Sequence, residues 1–440
     1  MRNKKPSVGL MAALTIFTFT LFLSGTRAVA QEKVLLNFSG KNGDAPYGSL
    51  ILDAAGNLYG TTIDGGGDVG AVFELTPTGG GAWTEKLLRS FHGGPDDGAV
   101  PLAGLIFDAA GNLYGTTAAG GTGSSCGFSG CGTVFELTPA ASGLWTRKIL
   151  YSFGENSKDG FEPFGSLIFD ADGNLYGTTY GGGAVAQVCS NSSATGCGTV
   201  FELTPKAGGG WSEKVLHSFG NGTDGRNPYS NLFLDAAGNL YGTTLVGGTG
   251  SSCSDMGCGT VFELTPKAGG GWAEKVIHNF TNNGKDGFLP FSSLIFDAAG
   301  NLYSTTAEGG IGGSSCNSSG CGTVFELTRR AGGGWAEKVI HNFTNNGKDG
   351  IQPIAGLIFD AAGNLYGATS FGGTYAKGTV FKLSPATGGS WAETVLHSFG
   401  NGNDGRGPES TLILDADGNL FGPTLGGGTY AKGTVFEIKR

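Results

Sequence analysis

Histidine and methionine are scarce in this chain of 440 residues, with five and three copies. After residue 30 there is no apolar run long enough for a membrane helix and no sustained 3.6-residue periodicity, so almost no α-helix is expected. The chain also lacks a G-x-S-x-G elbow, an H-E-x-x-H pair and a phosphate-binding glycine loop. These absences leave no recognisable catalytic constellation and favour a β-rich protein that is not an enzyme.

Basic residues are also fewer than acidic ones. The chain has 27 basic and 36 acidic residues, and four of the basic residues fall within residues 1–30, so the rest carries a net charge of −13. A nucleic-acid partner is disfavoured because phosphate binding needs a basic face.

The first 30 residues are typical of a secretory signal peptide. Arg2, Lys4 and Lys5 precede an apolar run over 8–23, and Ala28-Val29-Ala30 forms an A-x-A site. An uncleaved membrane anchor is the alternative, which the small residues at the end of the run disfavour. We expect cleavage near Ala30 and a secreted, extracellular or periplasmic protein over 31–440, with no integral membrane segment.

The 85 glycines are periodic rather than dispersed. The hairpin DAAGNLYGTT, or a close variant, occurs seven times, beginning at Asp53, Asp108, Asp170, Asp235, Asp297, Asp360 and Asp415. Self-similarity at intervals of 55 to 65 residues is typical of propellers and solenoids.

One repeat, residues 230–280, divides into four strands. The run 231–235 and the run 239–244 flank a three-residue turn, a third strand covers 259–266, and a fourth covers 272–280. Alternation predicts that Trp272, Val276 and Phe280 share one face, with Ile277 on the other. Four antiparallel strands of about five to nine residues correspond to one propeller blade.

The phase of the repeats predicts a closed ring. Residues 32–38 resemble a fourth strand, while the chain ends at Arg440, directly after a third strand. Docking Val34–Phe38 beside Val435–Ile438 would complete a seventh blade and remove both exposed edges. We therefore predict a single all-β domain over 31–440, a seven-bladed β-propeller of four-stranded antiparallel blades closed by N- and C-terminal strands. A β-solenoid is the alternative.

The eight cysteines form four local pairs in the loops between second and third strands of repeats two to five. Repeat symmetry favours disulfides within each loop, and an exported chain is oxidised. Metal binding is the weaker alternative because C-x2-C spacing is absent. The predicted disulfides are Cys126–Cys131, Cys189–Cys197, Cys253–Cys258 and Cys316–Cys321.

The links between repeats carry a second motif, D-G-x-x-P, with Asn42 in place of the acid in the first copy. Each acid can cap a tight turn, and the ring of acids is also a candidate binding rim. The six residues are Asp97, Asp159, Asp224, Asp286, Asp349 and Asp404. No cofactor is evident, and calcium at 282–287 is only weakly supported because the order of a known calcium loop is missing.

The links and the cystine loops are expected on the same side of the ring, which we call the cystine-loop face. It is the candidate working surface, because variable loops on a rigid scaffold commonly bind ligands. The starts of the first strands are expected to line the axis with small polar residues, Ser49, Gly104, Ser166, Asn231, Ser293, Gly356 and Thr411. Four histidines occupy equivalent fourth-strand positions, where other repeats have Leu36, Arg89 and Tyr151. Shared catalysis by them is therefore disfavoured.

These motifs resemble those of the bacterial GloVer (Gloeo_Verruco) tandem-repeat proteins, which combine D-x-x-G-N-L-Y-G-T-T with G-T-V-F-E-L. The resemblance implies an exported or surface β-propeller-like repeat protein and supplies no catalytic residue. We hypothesise a secreted or cell-surface binding scaffold whose partner is an extracellular glycan, a peptide or a surface component. The alternative is an exported hydrolase or lactonase with a metal or acidic site at the channel mouth.

Overall fold

A computed structural model describes residues 31–440 except 127–128, 142, 144, 157, 185–195, 251–252, 254–255, 312–315 and 317–318. The predicted signal peptide and Cys189 lie outside the described residues. The chain forms a seven-bladed β-propeller whose blades are four-stranded antiparallel sheets. A short 3-10 turn covers Thr387–Gly389, and none of the described residues is in an α-helix.

Six blades place their four strands in chain order, and the seventh takes its fourth strand from the N-terminus. The first strands are Ile51–Leu52, Ile106–Phe107, Ile168–Phe169, Phe233–Leu234, Ile295–Phe296, Ile358–Phe359 and Ile413–Leu414. The second strands are Leu58–Thr62, Leu113–Thr117, Leu175–Thr179, Leu240–Gly247, Leu302–Thr306, Leu365–Thr369 and Leu420–Thr424. The third strands are Ala71–Pro77, Thr133–Pro139, Thr199–Pro205, Thr260–Pro266, Thr323–Arg329, Thr379–Pro385 and Thr434–Lys439. The fourth strands are Trp83–Ser90, Trp145–Ser152, Trp211–Ser218, Trp272–Asn279, Trp335–Asn342, Trp391–Ser398 and, for the seventh blade, Gln31–Asn37.

The predicted closure of the ring is confirmed. Val34 pairs with Phe436, and Leu36 with Val435, in an antiparallel register that completes the seventh blade from both termini. Phe38 is fully buried directly after this strand and packs edge-on against Phe73 of the first blade, with ring centroids 5.2 Å apart.

First strands are shorter than predicted, with two paired residues each. The expected run 231–235 forms a strand only at Phe233–Leu234, because the residues before it contact neighbouring blades instead of a strand. Asn231, for example, donates its amide hydrogen to Ser293 Oγ at the start of the next blade, 3.1 Å away.

A β-bulge in every fourth strand changes which faces its side chains share. In the fourth blade the residues on either side of Ile277 pair with consecutive residues of the third strand. Trp272 therefore packs against the preceding blade, whereas Phe280 packs against Phe325 of the following blade, with ring centroids 5.2 Å apart. The expectation that Trp272, Val276 and Phe280 share one face is wrong because the extra residue reverses the alternation.

Short ribbons connect the D-G-x-x-P links to the loops after the second strands. Gly98–Ala99 pairs with Ala119–Gly120, and equivalent pairs occur in the later blades. The links and the cystine loops therefore lie on the same face, as predicted.

The residue before each motif proline has a left-handed backbone. The seven residues have φ between 53° and 63° and are Ala45, Val100, Glu162, Asn227, Leu289, Gln352 and Gly407. Each amide donates to a carbonyl in the loop of the preceding blade, for instance Glu162 N to Cys131 O at 2.9 Å. A left-handed non-glycine residue costs about 1 kcal/mol, which these bonds between blades offset.

Candidate functional site

The six acids of the D-G-x-x-P motif cap their own turns. In every copy Oδ1 accepts a hydrogen bond of 2.6–2.8 Å from the amide of the following glycine. The turn role predicted for these residues is confirmed, and their role as a binding rim stays a prediction.

The segment 282–287 uses its oxygen atoms for the same kind of turn. Asn283 Oδ1 accepts hydrogen bonds of 2.9 Å from the amides of Lys285 and Asp286. Asp286 in turn accepts hydrogen bonds from the amides of Thr281 and Gly287. These oxygens serve the backbone instead of converging on a common centre in the loop.

The same acids also face clefts between neighbouring fourth strands, at the outer edge of the cystine-loop face. Each inter-blade cleft combines the link residue with one side chain from the preceding fourth strand and one from the next. Four clefts have His, Asp and Glu: His217–Asp224–Glu274, His278–Asp286–Glu337, His341–Asp349–Glu393 and His397–Asp404–Glu32. The other three are Leu36–Asn42–Glu85, Arg89–Asp97–Arg147 and Tyr151–Asp159–Glu213.

The contacts of the histidines fall into two groups. His217 and His397 contact their aspartates directly through Nε2, at 2.9 and 2.8 Å from Oδ2. His341 Nε2 lies 3.8 Å from both Asp349 and Glu393. In all four His-containing clefts the Oε1 atom of the glutamate is buried without a hydrogen-bond partner.

Sequence reasoning did not identify the six glutamates of the inter-blade clefts. Five of the six follow a tryptophan as W-x-E, at Glu85, Glu213, Glu274, Glu337 and Glu393. The sequence contains one sign of this contact. One repeat has Arg147 in place of the glutamate, and the repeat directly before it has Arg89 in place of the histidine. The two arginines pair with Asp97, so a paired change along the sequence marks a contact across the cleft.

Burial in the clefts favours the protonated form of the glutamates. Desolvation, together with a smaller contribution from a neighbouring aspartate, raises the pKa of each to about 7; the five residues are Glu32, Glu213, Glu274, Glu337 and Glu393. A group whose pKa is raised in the folded state stabilises the fold at low pH, and this contribution is lost as the pH rises through the folded pKa.

We expect Glu213→Gln to stabilise the protein by about 1 kcal/mol at pH 8, after allowance for partial exposure, and to have little effect at pH 5. Glutamine resembles the protonated acid and cannot ionise beside Asp159, the neighbour that raises the pKa of Glu213. Urea unfolding at the two pH values measures the difference. Asp417→Asn, at an exposed turn carboxylate, is the control. Equal pH dependence in wild type and Glu213→Gln would contradict the assignment.

The axis of the ring ends in a small polar cavity of about 60 Å³. All seven residues predicted to line the axis surround it, Ser49, Gly104, Ser166, Asn231, Ser293, Gly356 and Thr411. A cavity of this size has room for water but not for a sugar ring.

A collar of mostly apolar side chains surrounds the cavity. It is formed by the residue after each motif proline, namely Tyr47, Leu102, Phe164, Tyr229, Phe291, Ile354 and Glu409. Tyr229 packs against Phe164 and Phe291, with ring centroids 5.1 and 5.3 Å apart, and shares a 3.0 Å hydroxyl contact with Tyr47 across the axis. Burial raises the pKa of the single carboxyl in the collar, Glu409. The collar therefore closes the channel instead of leaving an open pore.

Three of the predicted disulfides are confirmed. Cys126–Cys131, Cys253–Cys258 and Cys316–Cys321 have Cα–Cα distances of 5.3, 5.1 and 5.3 Å. Cys197 is buried at the equivalent position, but its predicted partner, Cys189, lies outside the described residues. The second cysteine of each confirmed pair is fully buried, so the disulfide ties the loop to the core.

Exposed apolar side chains concentrate in the loops after the second strands, both those with cysteines and those without. Among the described residues, five of the six large hydrophobic side chains with high exposure lie in loops after second strands, Met256, Ile311, Phe371, Tyr375 and Tyr430; Leu87 is the sixth. Phe371, 51 % exposed, separates two cavities of about 320 and 330 Å³. Lys377 and Arg406 line the first cavity, and Glu308 and Gln352 line the second.

The fold and these loops define a disulfide-containing repeat propeller in which a uniform scaffold carries variable loops on one face. A family profile, the Gloeobacter/Verrucomicrobia repeat, matches residues 12–188, 183–315 and 312–440. The chain therefore belongs to this repeat family. No curated protein matches it in sequence.

Solved structures of the same general shape are distant in sequence. A fungal alcohol oxidase in complex with copper is 17 % identical, with 93 % of this chain and 76 % of that chain covered and a TM-score of 0.55. A glucose dehydrogenase is 14 % identical, with coverage of 93 % and 99 % and a TM-score of 0.42. A gluconolactonase from Xanthomonas campestris is 14 % identical, with coverage of 70 % and 78 % and a TM-score of 0.36. The first likeness concerns the propeller fold alone, and the other two are too weak to bear on function.

Proposed function

We propose that the protein is an exported binding propeller that holds an extracellular carbohydrate on its cystine-loop face. The observation that carries this proposal is the position of Phe371, an exposed aromatic ring between two cavities of about 320 and 330 Å³. Exposed apolar side chains bordered by polar groups mark interaction sites, and aromatic rings contribute large contact area at low entropic cost.

The charge of the first cavity favours an acidic saccharide. Lys377 and Arg406 are exposed there in a protein whose net charge is −9 overall. The carboxyl that also lines this cavity, Glu409, is partly buried and desolvation raises its pKa, which favours its neutral form. A guanidinium and an ammonium beside an aromatic ring suit a sugar that carries a carboxylate, such as a uronic acid. The disulfides support export, because they form and persist in oxidising compartments.

Two further observations bear on this proposal. Among the described residues that line the channel mouth, Glu409 is the one carboxylate, while the His-Asp-Glu clefts lie at the outer edge between blades. This arrangement favours binding over a hydrolase centred on the axis. Among the described residues, no helix is long and apolar enough to cross a membrane.

Phe371→Ala is expected to weaken binding of uronic-acid oligosaccharides by at least about tenfold, because it removes the ring that borders both cavities. A glycan array of neutral and uronic-acid oligosaccharides selects the probe, and calorimetry measures its affinity. Leu87→Ala removes an exposed side chain from a fourth strand, away from the face, and should leave affinity unchanged. Equal affinity of Phe371→Ala and wild type, or no binding to any saccharide, would contradict the proposal.

A further inference from the structure

We propose that three inter-blade clefts are binding sites for a divalent transition metal, with Zn²⁺ as the best-suited ion. Each offers one imidazole nitrogen and two carboxylate oxygens that lie within 4.8 Å of one another: His341–Asp349–Glu393, His217–Asp224–Glu274 and His397–Asp404–Glu32. The fourth cleft, His278–Asp286–Glu337, is left out because its three ligand atoms do not all lie within this distance of one another. Three protein ligands of this kind, with water completing a tetrahedron, suit zinc.

The cleft at His341 has the clearest geometry. Its Nε2 lies 3.8 Å from both Asp349 Oδ1 and Glu393 Oε1, too far for a hydrogen bond. Ligands bound at about 2.0–2.2 Å can stand up to about 4 Å apart, so one ion fits among these three atoms. Nε2 of His341 and Oε1 of Glu393 are both buried and have no hydrogen-bond partner. A bound cation would satisfy both atoms.

Other contacts hold the ligands in place. Asp349 is 7 % exposed and its carboxylate also accepts hydrogen bonds from the amides of Gly350 and Thr344. The ring of His341 packs edge-on against Phe343, with centroids 4.6 Å apart. Because backbone and aromatic contacts fix these side chains, binding requires little reorganisation.

The equivalent cleft at His217 has a route from solvent. A cavity of about 530 Å³ is lined by His217, Asp224 and Glu274. Each proposed ion would link the fourth strand of one blade to that of the next. In the cleft of His397 the second strand is the N-terminal one, through Glu32, so this ion would also hold the ring closed.

The chain contains its own matched comparison. Glu85 occupies the same position as Glu393, but its cleft has Leu36 in place of histidine, and Asn42 Nδ2 donates to Glu85 Oε2 at 2.7 Å. The cleft around Asp97 has arginine at both of the other positions and repels cations. Neither cleft has an imidazole ligand.

The test uses tag-free, oxidised protein dialysed against Zn²⁺, with bound metal counted by mass spectrometry. Wild type is expected to bind three equivalents, Glu393→Gln two, and Glu85→Gln three. Co²⁺ in place of Zn²⁺ should give a visible absorption spectrum that loses about a third of its intensity in Glu393→Gln. Circular dichroism checks that each variant is folded, and His341→Gln is a second variant of the same cleft.

The proposal is overturned by any of three results. The first is that wild type retains no Zn²⁺ after dialysis at micromolar metal. The second is that Glu393→Gln and Glu85→Gln bind the same number of Zn²⁺ equivalents. Bound Ca²⁺ that Zn²⁺ fails to displace would assign the clefts to a different ion. The readout is metal content and is independent of the saccharide test, so either proposal can fail while the other stands.

Discussion

Phe38→Ala is expected to lower the free energy of unfolding by about 4 kcal/mol, since it empties a fully enclosed site in the core. Phe38 lies just after the N-terminal strand and packs with Phe73 and Val435, so it joins the first blade to the seventh. Chemical denaturation, with the denaturant dependence compared between variants, measures the loss. A large effect shows that the N-terminal segment is an integral part of the ring.

Phe280→Ala is the matched control for this experiment. Phe280 is also fully buried directly after a fourth strand, but in a blade made from continuous chain. If the ring is closed by the terminal strands, the two substitutions should cost about the same. A cost below about 1 kcal/mol for Phe38→Ala alone would mean that the seventh blade is not closed in solution.

Asp97→Asn is expected to destabilise the protein by about 3 kcal/mol, because it leaves two guanidinium groups facing each other in a largely buried cleft. Arg89 Nη2 and Arg147 Nη1 lie 2.8 and 2.9 Å from the two carboxylate oxygens, and the aspartate side chain is 9 % exposed. The same oxygens accept hydrogen bonds from the amides of His92 and Gly98, which asparagine can satisfy only in part.

A double-mutant cycle separates the charge effect from the turn effect. In an Arg147→Gln background only one guanidinium remains, so Asp97→Asn should cost at least about 1 kcal/mol less than in wild type. An equal cost in both backgrounds would show that Asp97 acts through its turn alone. Thermal and urea unfolding near neutral pH supply the free energies.

Much of the scaffold could be predicted from the sequence because the same strand and turn motifs occur in all seven repeats. The D-x-x-G-N hairpins, the third-strand signature and the position of the termini sufficed for four strands per blade and for closure of the ring. The cysteine pairs were predictable for a similar reason, since each loop contains both partners at short separation. Such features depend on contacts that are local or repeated.

The bulge at Ile277 was not predictable from alternation, because alternation assumes an unbroken ladder. The sequence places apolar residues in the fourth strand, but only the pairing with the third strand shows that Trp272 and Phe280 contact different blades. The length of the first strands was overestimated for a related reason. Their early residues bond to the neighbouring blade, which a single repeat does not reveal.

The sequence by itself determined the number of blades, the closure and the face that carries the variable loops, because periodicity and phase are properties of the chain alone. Only the tertiary structure decided which side chains meet. His341, Asp349 and Glu393 come from three separate segments, two of them fourth strands of different blades, and they converge because the ring packs those strands side by side. The loops around Phe371 likewise form the cavities on either side of its ring. Contacts between repeats depend on how the blades pack, and this packing cannot be inferred from the sequence pattern within one repeat.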